Sequence, residues 1–108
     1  MGFGEIMPTT NIAVPREQIE AFCAKWGIKE FSLFGSILRE DYSPDSDVDV
    51  LITFQPGRQM TFESFIEMRE ALSEIFSGRE IDLTEKRLVK NPFRRHEILT
   101  TREIIYAA

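Results

Sequence analysis

Cysteine and histidine are almost missing from this chain: Cys23 and His96 are its only examples. One cysteine cannot close an internal disulfide, so the sequence predicts a reducing compartment. A zinc site needs more thiols and imidazoles than this. Basic charge is also short. Thirteen Lys and Arg face eighteen Asp and Glu, for a formal net charge of −5. Coating nucleic acid takes a cationic surplus to neutralise phosphate, so no stable direct binding to nucleic acid is expected. A nucleotide site stays open, because a bound metal ion can carry the positive charge there. No apolar run reaches the roughly 18 residues of a membrane span. The opening "MGFGEIMPTTNIAVP" has no basic stretch leading into an apolar one, so it does not read as a signal peptide. Together these absences predict a soluble cytoplasmic protein with no membrane partner.

What is present suits one folded domain. The chain has 108 residues, 43% of them apolar, with nine Phe to fill a core. Residues 1–14 read as an N-terminal arm, loose or partner-contacting, and 15–108 as a single domain. "PREQIEAFCAKWG" (15–27) predicts a helix, with Pro15 in the first turn, Gly27 at the stop and Ile19, Phe22, Cys23 and Trp26 on one stripe. "EFSLFG" (30–35) reads as a strand, and "SILRE" (36–40) as a short helix directly after it. "DVDVLITF" (47–54) reads as a β-branched strand after the loop "DYSPDS".

"TFESFIEMREALSEIFSG" (61–78) predicts a longer helix. Thr61 and Ser64 are its candidate N-caps, and Phe62, Phe65, Ile66, Leu72, Ile75 and Phe76 its core face. "REIDLTE" (79–85) reads as a third strand, "NPFRRHEILT" (91–100) as a helix capped by Asn91, and "REIIYAA" as a possible last strand. The expected fold is α/β (α+β): a small mixed sheet of three to four strands with helices packed on it.

The chemistry is concentrated where charges interrupt apolar strands. Residues two apart on a strand share a face, so Asp47 and Asp49 would stand side by side. Two like charges at about 4 Å repel by on the order of 4 kcal/mol at an effective dielectric of 20. A cation between them reverses that sign, and an all-oxygen set suits Mg²⁺ or Mn²⁺. Asp82, between Ile81 and Leu83, could join the pair if the two strands are neighbours. Three such carboxylates fit metal-assisted phosphoryl transfer, with one able to accept the proton of the attacking hydroxyl. The Gly35-Ser36 turn supplies a close backbone approach, free N–H groups and a hydroxyl for phosphates.

Blander readings stand beside these. Asp47 and Asp49 could lie on a solvated edge strand, and Asp82 on an exposed one. Ser36 could serve as an N-cap. His96 reads as a surface residue and Cys23 as core. The cations Lys86, Arg87, Lys90, Arg94 and Arg95 form either a solvated face or a contact for phosphate or an acidic partner.

Gly35-Ser36, ten residues, then Asp47-Val48-Asp49 resembles the nucleotidyltransferase signature of the DNA polymerase β-like superfamily. "FGSILREDYSPDSDVDVLITF", "EIDLTE" and "NPFRRHEIL" are similar to the minimal nucleotidyltransferases. The resemblance spans about residues 15–106 and implies a palm-like fold. It implies that Gly35, Ser36 and Arg39 bind the nucleotide, that Asp47, Asp49 and Asp82 are catalytic metal ligands, and that ATP or another NTP is the substrate with Mg²⁺. Arg39 would either contact phosphate or brace the loop through Asp45 or Asp47. Glu40 departs from the Gly of many relatives. Such proteins resemble antitoxins paired with a HEPN-domain ribonuclease toxin, some transferring AMP to a tyrosine hydroxyl. The competing implications are a non-catalytic antitoxin that works by binding, and an enzyme for a small-molecule hydroxyl.

Overall fold

Four strands form one mixed sheet in the computed structural model, which describes residues 14–38, 43 and 46–108. The elements are α1 (Arg16–Trp26), β1 (Ile28–Phe34), a 3-10 turn (Gly35–Leu38), β2 (Val48–Phe54), α2 (Phe62–Ile75), β3 (Ile81–Glu85), a second 3-10 turn (Lys86–Leu88), α3 (Pro92–Thr101) and β4 (Glu103–Ala107). Residues 1–13 of the arm, Arg39, Glu40 and Asp45 lie outside the described residues. No described helix is long and apolar enough to cross a membrane.

The helix ends follow their local chemistry. α1 stops at Gly27, whose φ of +69° is left-handed and whose N–H returns to the Cys23 carbonyl. Thr61 and Ser64 are two halves of one cap. The Ser64 amide donates to Thr61 Oγ1 at 3.0 Å, and the Thr61 amide to Ser64 Oγ at 2.8 Å. Asn91 Oδ1 accepts from the amides of Phe93 and Arg94, with Pro92 at the first position of α3.

Strand order is β3-β2-β1-β4; β1 runs antiparallel to β2 and β4, and β2 parallel to β3. Alternation along β2 divides the molecule into layers. Val48, Val50 and Ile52 face a core shared with Ile19, Phe22 and Cys23 of α1 and Met68 and Leu72 of α2. Leu51 points to the opposite face, where it packs with Phe34, Val89 and Ile98 under α3. Cys23 is buried in the first core, and burial, helped by nearby Glu20, pushes its thiol up to about 12. It is therefore a packing residue, as expected.

One expected face is wrong in part. Phe62 is 79% exposed and Ile66 is exposed too, while Met68, absent from the expected face, is fully buried. The cause is angular. The buried direction of α2 lies between Met68 and Leu72. At 3.6 residues per turn Phe62 is roughly 100° and Ile66 roughly 140° round the axis from that direction.

Candidate active site

The register of β2 and β3 brings two of the three aspartates together. Asp49 is the direct partner of Asp82 across the parallel ladder, with Val48 opposite Ile81 and Val50 opposite Leu83. Neighbouring strands lie about 4.8 Å apart, so two carboxylates issue from adjacent backbones. Ile81 and Leu83 are buried and Asp82 between them is exposed, so Asp82 points away from the core of α1 and α2. Asp49 alternates in the same sense between buried Val48 and Val50 and is partly covered.

Asp47 stands one residue ahead of β2, which begins at Val48 rather than at 47 as the sequence suggested. It is exposed, and its place is fixed by the residue that follows: the Val48 amide donates to the Glu80 carbonyl at 2.9 Å. Among the described residues no three carboxylate, imidazole or thiol groups are gathered closely enough to hold an ion unaided. Of the three aspartates expected to share one ion, the register pairs Asp49 with Asp82, and Asp47 stands just ahead of β2.

β1 ends at the same edge of the sheet. Phe34 pairs with Asp49, and Gly35 turns the chain immediately afterwards. Gly35 has φ of +82°, and a Cβ built there would meet the Asp49 carboxylate, with Asp49 Cγ at 2.9 Å. The glycine is therefore required both by its left-handed backbone and by the aspartate it passes. Ser36 lies next in the 3-10 turn, which opens from this corner. Gly35, the Ser36 backbone, Asp49 and Asp82 thus converge on one end of the sheet, where β1 finishes and β2 and β3 start.

Arg79 is a participant that the sequence reading did not single out. Its Nη2 donates to the Ser46 carbonyl at 2.7 Å, just ahead of Asp47. The one available signal was its place three residues before Asp82. The basic cluster is spent largely on structure instead. Lys86 lies 3.7 Å from Glu30, Arg87 is 2.7 Å from buried Glu85, and Arg95 donates to the Lys86 carbonyl at 2.9 Å. His96 is exposed on α3, as expected.

Comparison with known proteins agrees with this geometry. A family model described as a nucleotidyltransferase domain matches residues 15–105. The protein adenylyltransferase MntA of Thermococcus cleftensis is 33% identical over 82 residues, covering 76% of this chain and 77% of that one. A solved structure provisionally described as a minimal nucleotidyltransferase superposes with a TM-score of 0.67 at 28% identity, covering 93% of this chain and 98% of its own. A crystal structure of a toxin–antitoxin with AMP-PNP reaches a TM-score of 0.69 over 87% of this chain and 74% of its own; at 14% identity it speaks for the fold alone. The chain belongs to the nucleotidyltransferase domain family and is an enzyme of the nucleotidyl-transfer class.

Proposed function

We propose that this protein transfers AMP from ATP to a hydroxyl of a protein acceptor, a tyrosine of a HEPN-domain toxin, and so acts as the antitoxin of that pair. The observation that carries the chemistry is the in-register pair Asp49 and Asp82 beside Gly35. A protein acceptor is supported by the relative named a protein adenylyltransferase.

The donor set suits a hard divalent ion, since every candidate ligand is a carboxylate oxygen. Asp49 and Asp82 would hold Mg²⁺, or Mn²⁺, with Asp47 as the third ligand. An ion held this way would be shared with substrate phosphates. When bound, it would neutralise charge on the phosphates and on the leaving pyrophosphate. Gly35 and Ser36 receive the phosphates through the backbone of the turn, and Arg39 contacts phosphate or braces the loop. The acceptor oxygen bonds to the α-phosphorus as the bond from that phosphorus to the bridging oxygen breaks. The hydroxyl proton passes to a carboxylate, and exposed Asp82 is the candidate.

The test is intact-mass spectrometry of a purified HEPN-domain toxin after incubation with MgATP and catalytic amounts of this protein. The expected result is a gain of one adenylyl group on the toxin. That gain should be lost with Asp82→Asn and with EDTA. If the toxin is silenced only by stoichiometric protein, with its mass unchanged, transfer is refuted and neutralisation proceeds by occlusion.

A further inference from the structure

Asp47, like Asp82, is an exposed member of the proposed site, and it lies outside any strand. Its two chain neighbours are nevertheless both fastened to the segment that leads into β3. On one side the Ser46 carbonyl accepts from Arg79 Nη2 at 2.7 Å; on the other the Val48 amide donates to the Glu80 carbonyl at 2.9 Å. The second attachment is backbone to backbone and needs no particular side chain. The first depends wholly on an arginine.

Arg79 is itself held from behind. Ser73 Oγ of α2 donates to the Arg79 carbonyl at 2.8 Å, and the Gly78 amide donates to the Ser73 carbonyl at 2.7 Å. The loop end it grips is also ordered locally: the Ser46 amide donates to the Ser43 carbonyl at 3.0 Å, and the Ser43 amide to Ser46 Oγ at 3.1 Å. A chain of short bonds therefore runs from the end of α2, through Arg79, to the carbonyl that precedes Asp47. A guanidinium suits this task, because its charge is permanent and its planar fork is preorganised.

We infer that Arg79 is a positioning residue: it holds Asp47 beside the Asp49–Asp82 pair so that the carboxylates can share one ion with the nucleotide. This rests on the proposed site and deepens it. A partner that orients a ligand is typically worth about 10–100-fold in metal affinity. Arg79 acts on Asp47 through the backbone of the preceding residue and not on the carboxylate itself, so the lower end applies.

The experiment is a double-mutant cycle of Arg79→Ala and Asp47→Asn, read as Mn²⁺ affinity in the presence of AMP-PNP by titration calorimetry. Arg79→Ala is expected to weaken binding about tenfold, and Arg79→Lys to recover part of the loss. In the Asp47→Asn background, Arg79→Ala is expected to cost nothing further. Unchanged affinity in Arg79→Ala overturns the inference. So does an equal loss in both backgrounds, which would mean that Arg79 acts elsewhere. Amide hydrogen exchange in the metal-free protein gives a second readout that does not depend on the site. Arg79→Ala should raise exchange at Asp47 and Val48 while α2 keeps its protection, and no rise there also overturns the inference. A rise at these amides, with metal affinity indifferent to Asp47→Asn, would uphold the clamp on the loop and overturn the ligand role of Asp47.

Discussion

Replacing Gly35 with alanine is expected to be costly, and the cost should depend on a residue fourteen positions away. Two effects add. The first is backbone strain: a residue with a Cβ held at a φ of +82° loses about 1–2 kcal/mol against glycine. The second is collision. The new Cβ would lie 2.9 Å from Asp49 Cγ and 3.3 Å from Asp49 Cβ. These atoms are near the backbone of β2, so the aspartate cannot simply swing its tip aside. Forcing an extra carbon into such a site costs about 1–3 kcal/mol. The sum is roughly 2–5 kcal/mol in the wild-type background. With Asp49→Ala the carboxylate is gone, leaving chiefly the strain of about 1–2 kcal/mol. The assay is urea unfolding in EDTA of the four proteins of the cycle, with m-values compared to confirm two-state behaviour. A coupling of at least about 1 kcal/mol is expected between the two positions. Strict additivity would refute the claim that Gly35 is glycine because of Asp49.

Two further outcomes follow from burial. Met68→Ala should lose about 2–5 kcal/mol, since Met68 is fully buried, whereas Phe62→Ala should stay within about 0.5 kcal/mol; chemical denaturation distinguishes them, and a large loss for Phe62 would contradict its exposure. The Cys23 thiol, pushed up to about 12 from 9.0 by burial, keeps its proton in the fold at pH values where the unfolded chain gives it up. Its contribution is complete below about pH 9 and is lost as pH rises toward 12, at up to about 1.4 kcal/mol per pH unit. Comparing the alkaline stability profiles of wild type and Cys23→Ala tests this; identical slopes would refute it.

The parts of this molecule that were legible in its sequence are those set by short-range chemistry. Thr61 bonds with Ser64, Asn91 with the amides of Phe93 and Arg94, and Gly27 with the Cys23 carbonyl, all within about one helical turn, so their residue types announce ends of α1, α2 and α3. Asp47-Val48-Asp49 and Ile81-Asp82-Leu83 announce charges breaking into apolar strands. What was not legible is set by contacts across the chain. That Asp82 faces Asp49, and not a residue one place along, is fixed by parallel pairing of strands joined through α2. The dependence of Gly35 on Asp49 and the grip of Arg79 on Ser46 arise only after that pairing exists. The misread face of α2 has another origin. Phe62 and Ile66 satisfy an apolar period as well as Met68 does, and only the sheet decides which side of the helix is covered.

The same pairing bears on what can reach the site. Among the described strands β3 is an edge, so Asp82 has β2 on one side only. α1 and α2 cover the opposite face of the sheet, and the apolar contacts of α3 centre on Phe34, Leu51, Val89 and Ile98. Asp82 is left exposed, and so is Asp47. A small-molecule hydroxyl would need walls to hold it against the α-phosphorus, because positioning supplies much of the rate in such transfers. Neither exposed aspartate offers such a wall. An acceptor protein brings its own surface to this open edge and carries its hydroxyl on a rigid frame. Under the proposed function, the exposure of Asp82 among the described residues suits a macromolecular acceptor.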